Sequence, residues 1–388
     1  MEYLVYPGAT HTRFEHSLGV MDMASRVFDA LVRGHREKIA EDLKQVPELA
    51  ENTIAKARQV IRLMGLLHDV GHPAFAHAGE AGIPGNQKHE AVSVYAIETH
   101  LASLIDCSFF QGAASVLVRL IKKSENLAFL SQLVSGELDV DRGDYLLRDS
   151  LHCGVSYGLY DSNRLIESLT LVNHEESGRL QLALDRGGEH TFEAMILARY
   201  QMSTQVYFHK IRRIYDHYLE EYCRLWGPEN YATLDDVLEH DDLSVTVEIR
   251  RDAKSDGPRR PWAERIVSRK HHRVVHQTGD SADQQALRRA KRMLEDLRKG
   301  FDECDFYLDD SPLSIYKLRR PGDQNEPQVE DLYIREANGN LKLLTSDSAI
   351  IGKIPPTVRT VRIFADGEPA AISAICNKVK ELEKRYED

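Results

Sequence analysis

The sequence predicts a mainly α-helical chain that closes on a smaller α+β region. Apolar residues recur at helical spacing through roughly the first 226 positions. Runs that read as strands, bounded by turn residues, are confined to the last third. The composition, 42% hydrophobic and 29% charged over 388 residues, is that of a folded globular protein. This length accommodates two or three domains, and the change of texture divides the chain at 1–226 and 227–388.

The elements follow in order. After Ser17, Val20, Met21, Ala24, Val27, Phe28, Leu31 and Val32 form one buried stripe. A second helix runs through Ile54, Ala57, Val60, Ile61, Met64 and Leu67 and stops near Gly71-His72-Pro73. Helical patterns also cover 90–104, 113–122 and 140–150, and a long one spans 191–226. Beyond 227, acidic residues cluster at 235–242. A basic stretch follows (Lys254, Arg259, Arg260, Lys270, His271, His272, Arg273), then a charged helix over 284–297. Strands are expected at 305–308, 314–318, 332–335, 341–344 and 358–364, with Asn338-Gly339 as a hairpin turn, and a last helix at 370–384. There is no internal repeat.

Several classes are excluded. No run approaches the ~18–20 apolar residues of a membrane-spanning helix, so no membrane association is expected. The first residues lack the layout of a secretory signal. The formal net charge is −11 and the pI about 5.9. That speaks against a surface built as a whole to hold nucleic acid, though a local basic pocket stays open. Five cysteines without a CxxC indicate neither a disulfide framework nor a cysteine zinc site, and a reducing cytoplasm is the expected location.

Four strings carry candidate chemistry. In LHDVGHPAFAH, His68 and Asp69 are neighbours near a helix end, and imidazole plus carboxylate suits a divalent ion such as Mg, Mn, Fe or Zn. Taken alone, the ordinary reading of the pair is a capping aspartate beside a surface histidine. In YPGATHTRFEHSLGV, His16 opens an amphipathic helix, with a plain helix-start histidine as the alternative. In ELDVDRGDYLLRD, Asp141, Asp144 and Tyr145 share a face, on what is equally a salt-bridged surface helix. In RYQMSTQVYFHK, Arg199, Ser203 and Tyr207 lie one turn apart.

The ordered set His16, His68-Asp69, Asp141, together with FEHSLGV, LLHDVGH, KHE, DVDRGDYLLRD and QVYFHK, resembles the HD-domain phosphohydrolase superfamily. Within it, the likeness is to the deoxynucleoside triphosphate triphosphohydrolases, from about Tyr3 to Tyr222. The resemblance implies an HD-type helical bundle, here without the helix that usually precedes the Tyr-Pro-Gly string, and a C-terminal region for regulation or oligomerisation. It implies His16, His68, Asp69 and Asp141 as ligands of one divalent metal. His72, Glu80 and His89 would be the acid–base group, with His72 as acid or in-line base. Arg13, Arg142 and Arg199 would meet phosphate charge, with His77 and Tyr207 as further donors. Tyr145 would pack on the sugar and Asp149 would accept from a 3′-hydroxyl. The implied reaction is water attack on the α-phosphorus of a dNTP, giving a deoxynucleoside and inorganic triphosphate. The implied partners are an activating nucleotide, for which the basic 259–273 cluster is a candidate with a solvated basic loop as the ordinary alternative, and further copies of the chain in a dimer or tetramer. The competing readings are another HD nucleotide phosphatase or phosphodiesterase, and a non-catalytic nucleotide or nucleic-acid sensor.

Overall fold

In the computed structural model, residues 2–124, 127–174, 178–310, 312–319 and 330–387 are described. The chain is mainly helical, with a small strand-bearing C-terminal part. Helix α1 (Arg13–Leu43) starts on a capping box. Thr12 Oγ1 accepts from the Glu15 amide while the Glu15 carboxylate accepts from the Thr12 amide, so two otherwise orphaned donors are satisfied. Its stripe of Val20, Ala24, Val27, Phe28 and Leu31 is buried against Ala57, Val60 and Ile61 of α2 (Thr53–Leu67). The two helices approach closely at Gly65, where a Cβ would lie 2.9 Å from the Met21 backbone nitrogen.

The 90–104 pattern resolves into α3 (His89–Ala96), a π-helical turn (Ile97–Leu101) and α4 (Ala102–Ser108). Helices α5 (Ala113–Ile121), α6 (Ala128–Ser135), α7 (Val140–Cys153) and α8 (Ser162–Ser168) complete the wall around α1 and α2. A hairpin of β1 (Leu169–Asn173) and β2 (Leu180–Asp185) then interrupts the helical half, which the sequence pattern did not suggest. Both strands are short and buried at nearly every position, and the leucine alternation they carry (Leu169 and Leu171; Leu180, Leu182 and Leu184) spans too few residues to separate strand from buried helix.

The long 191–226 pattern is likewise two helices, α9 (Glu189–Met202) and α10 (Lys210–Asn230). Between them, Ser203–Tyr207 forms a π-helical turn. The hydroxyls of Ser203 and Thr204 donate back to the carbonyls of Arg199 and Tyr200, which loosens the regular ladder.

Beyond α10 come α11 (Leu234–Glu239), α12 (Asp242–Asp252), α13 (Arg260–Ser268), β3 (Arg273–Gln277), α14 (Gln284–Gly300), β4 (Phe306–Asp310) and β5 (Leu313–Ser314). These are followed by β6 (Tyr333–Arg335), β7 (Leu341–Leu343), α15 (Leu344–Asp347), β8 (Thr357–Val358), β9 (Val361–Ala365) and α16 (Pro369–Glu387). Strand β3 was not expected. It pairs with β9 in a sheet of order β3-β9-β4, with a register shift between Val274 and His276. The Asn338-Gly339 hairpin forms as read, with Gly339 at φ 87°. Its strand β6 pairs in parallel with β2, giving a sheet of order β1-β2-β6-β7. Ile315, Tyr316, Ile334 and Val358 thereby enter the same core as α1 and α2.

Candidate metal centre

Three side chains from three distant helices meet at the ends of α1, α2 and α7. His16 lies in the first turn of α1, His68 caps the C-terminus of α2, and Asp141 lies in the first turn of α7. One potential ligand atom from each lies within 4.8 Å of the other two. Asp141 Oδ1 is 3.0 Å from His16 Nε2 and 3.6 Å from His68 Nε2. Asp69 Oδ1 is 3.5 Å from His68 Nε2 and stands at the edge of this group.

The tautomers are fixed from behind. His16 Nδ1 donates to Asp144 Oδ2 at 2.8 Å, and Arg148 holds both oxygens of that carboxylate at 2.8 Å. His68 Nδ1 donates to the Gly65 carbonyl at 3.0 Å. Both Nε2 lone pairs therefore face inward. His68 Nε2 is buried with no hydrogen-bond partner. Two imidazole lone pairs aimed at one or two carboxylates, each imidazole braced through its other nitrogen, is the arrangement that holds a divalent ion. The residues present fit such an ion.

The local charges agree. Burial alone would lower the His16 pKa, but hydrogen bonds to Asp141 and Asp144 carry it up to about 9, so without an ion the inward Nε2 lone pair binds a proton that a divalent ion would displace. Burial opposes ionisation of Asp69 and Asp141. The imidazoles around each, joined by Arg13 at Asp69, outweigh it and hold both carboxyls far below their ordinary range.

A second group adjoins the first through Asp69, whose Oδ2 is 3.0 Å from Arg13 Nη1 and 3.3 Å from His72 Nε2. The His72 ring stacks on that of His89, with centroids 3.7 Å apart and planes 10° off parallel. His89 Nδ1 is 2.6 Å and His77 Nδ1 3.1 Å from Glu80 Oε1, while Lys88 Nζ donates to Glu80 Oε2 at 2.8 Å. Gly71 makes this proximity possible: a Cβ there would lie 2.1 Å from the Ser93 amide nitrogen of α3. Burial, with the nearby Arg13 charge, pulls His72 down to about 4, so its ring is neutral at neutral pH. Burial would raise Glu80, but its contacts with Lys88, His89 and His77 bring it to about 2.

The remaining expected residues form the flank. Tyr207 donates to Asp149 Oδ2 at 2.7 Å, and the Tyr207 and Tyr145 rings meet edge to face at 6.1 Å. Burial pushes the Tyr145 hydroxyl up to about 12. Arg199 donates to the Ser314 carbonyl at 2.9 Å, and its buried Nη1 has no hydrogen-bond partner. Arg142 is turned inward instead, onto Glu137 and Asp139 at 3.5 and 3.4 Å. In the basic C-terminal stretch, Arg259 pairs with Asp252 and Glu229, Arg260 with Asp256, and Arg265 with Asp366.

Sequence reading did not assign roles to Asp144, Lys88 or His11, although each contacts an expected site residue. His11 Nε2 binds Asp149 Oδ1 at 2.8 Å, and its ring stacks on His152. The i, i+3 spacing of Asp141 and Asp144 on one helix face was the available signal for Asp144.

Comparison with known proteins agrees with this picture. The HD domain family matches residues 13–148, and the HD associated region matches residues 160–300. An uncharacterised protein of Methanocaldococcus jannaschii is 32% identical over 250 residues, covering 64% of this chain and 47% of that protein. The uncharacterised protein YwfO of Bacillus subtilis is 26% identical over 382 residues, covering 92% and 81%. A deoxynucleoside triphosphate triphosphohydrolase of Homo sapiens is 29% identical over 248 residues, covering 55% and 37%. The chain spans less than half the length of the first and last of these relatives. Among solved structures, a hypothetical protein from Aquifex aeolicus superposes with a TM-score of 0.74 at 26% identity, covering 97% of this chain and 89% of that one. A phosphohydrolase from Bacteroides thetaiotaomicron shares the fold, with a TM-score of 0.68 at 22% identity over 94% and 90% of the two chains. Matched over more than half of its length by that domain and its associated region, the chain belongs to the HD-domain superfamily of metal-dependent phosphohydrolases.

Proposed function

We propose that the chain hydrolyses deoxynucleoside triphosphates to a deoxynucleoside and inorganic triphosphate, by attack of water on the α-phosphorus. The observation that carries this reading is the pair of groups joined at Asp69: a partly buried, inward-facing ligand set beside a stacked pair of imidazoles. His16, His68, Asp69 and Asp141 would hold a divalent ion, which supplies Lewis-acid polarisation of a phosphate oxygen.

The chain's own residues do the rest. Arg13 and the unpartnered Nη1 of Arg199 offer guanidinium donors to phosphate oxygens, which their planar forks suit. The Asp149–Tyr207 pair and the Tyr145 ring form a polar and aromatic wall for the sugar. His72, neutral at pH 7, takes the proton of the attacking water in the in-line position and exchanges it with solvent through His89 and Glu80, while the bond from the α-phosphorus to the 5′-oxygen breaks and that oxygen takes up a proton, so the deoxynucleoside leaves as an alcohol. A dimer or tetramer and an activating nucleotide belong to the same reading.

A second reading, another HD phosphatase or phosphodiesterase, draws support from Arg142. Its inward pairing leaves fewer cations for a triphosphate. Incubation of the purified protein with each dNTP and Mg2+ or Mn2+, singly and mixed, tests both readings by chromatography. Deoxynucleoside and inorganic triphosphate are expected; release of monophosphate supports the second reading instead. The double substitution His68→Ala with Asp69→Ala is expected to abolish turnover, and hydrolysis at the parental rate would overturn the site.

A further inference from the structure

We propose that His72, His77, Glu80 and His89 form a second cation site, for a borderline transition ion such as Zn2+, and that filling it silences the proton relay. The site stands on geometry alone. Its regulatory consequence rests on the relay in the proposed function.

One potential ligand atom from each of the four lies within 4.8 Å of the others, and the set does not include the HD ligands. Around a tetrahedral ion with bonds of ~2.0–2.1 Å, donor atoms sit about 3.3 Å apart, so closure needs shifts on the order of 1 Å together with a turn of His72 or His89 out of their parallel stack, so that both ring nitrogens aim at one point. Three of the donors come from one nine-residue stretch and the fourth opens α3, so the shifts are local.

A second, independent observation points to a ligand. The His72 side chain is 3% exposed, and its Nδ1 is buried with no hydrogen-bond partner, while its other ring nitrogen faces Asp69. An ion among the four would give that nitrogen its missing partner. Three imidazole nitrogens and one carboxylate oxygen favour Zn2+, Co2+ or Ni2+ over Mg2+. His77, at 74% exposure, provides the way in. Lys88, the one lysine or arginine paired with Glu80 among the described residues, is 71% exposed and binds the oxygen that the imidazoles do not use, so it can stay or swing away.

Such an ion takes the lone pairs through which a proton would pass from His72 to His89 and Glu80. The HD ion therefore supports turnover and the second ion stops it.

The test is equilibrium dialysis against Zn2+ followed by elemental analysis, which needs no substrate. The parent is expected to bind two equivalents. His68→Ala with Asp69→Ala retains the second only, and His77→Ala with Glu80→Gln retains the first only. His77→Ala alone, at a side chain 74% exposed, weakens the second equivalent at least tenfold. A single equivalent in the parent, or two in the His77→Ala, Glu80→Gln protein, overturns the site. During Mn2+-supported dNTP hydrolysis, Zn2+ sufficient to fill the second site is expected to slow turnover at least tenfold, and unchanged turnover overturns the regulatory claim. If no dNTP is hydrolysed under any condition, that failure falls on the proposed function, and the zinc count still decides the site.

Discussion

Asp144 shows how much of the centre depends on residues that would never touch the ion. Its carboxylate, gripped by Arg148, fixes His16 with the proton on Nδ1 and the lone pair on Nε2, toward Asp141 and His68. Asp144→Ala frees that ring to rotate or change tautomer. The expected result is a 10–100-fold loss of affinity for the HD metal with the fold retained, read by competition with a metal-sensitive dye. Glu80 gives a prediction for pH. Its pKa is about 2 in the folded protein against an ordinary 4.5, so ionisation of Glu80 favours folding. That contribution is complete above pH 4.5 and is lost as pH falls toward 2. Glu80→Gln should therefore flatten the loss of stability across that window in metal-free urea unfolding. The effect should be about 1–2 kcal/mol, because two of the three partners of Glu80 lie in solvent. The convergence of His16, His68 and Asp141, with Asp69 at its edge, was legible because distinctive words surround these residues. Asp144, Lys88 and His11 were not, because a bracing contact between remote elements leaves no local pattern.

At the scale of elements, the centre is an assembly of helix ends. His68 caps α2, and His16 and Asp141 lie in the first turns of α1 and α7. The turn after α2 brings His72 under His89 because Gly71 lets the chain touch α3. The Ser93 hydroxyl secures that contact by accepting from the Gly71 amide and donating to the His68 carbonyl. Gly71→Ala would drive a methyl group into backbone, which has no rotamer with which to yield. We expect a cost of about 1–3 kcal/mol in denaturant unfolding and a fall in kcat at least as large as that of His89→Ala, since the stack itself is displaced. Long helices with one apolar stripe were read correctly because that stripe repeats every 3.6 residues. The β1–β2 hairpin and the break between α9 and α10 were not. The hairpin strands are short and buried on both faces, so their leucine alternation at 180, 182 and 184 covers too few positions to stand out, and the break arises from hydroxyls bonding back onto their own helix, which the apolar stripe does not register.

At the scale of the whole molecule, the helical half is not finished by its own residues. Strand β6 enters beside β2 some 150 positions along the chain, with Ile334 opposite Leu184 and fully buried in the core that also contains Phe28 and Ile61. Ser314, just before that segment's first core residue, Ile315, accepts from Arg199 at the flank of the site. The C-terminal segment therefore both seals the core and restrains an arginine proposed to meet phosphate. This arrangement separates two expectations for Ile334→Ala. If the segment were an independent attachment, the substitution would loosen the C-terminal part and leave the helical half, with its metal affinity, intact. Because Ile334 shares one core with α1 and α2, the loss should instead be felt by the helical half. We expect about 2–5 kcal/mol of destabilisation, with retention of the HD metal and the near-ultraviolet signal of the helical aromatics failing in the same transition. Thermal unfolding followed by both probes checks this, and an early C-terminal transition that leaves metal binding untouched would contradict it.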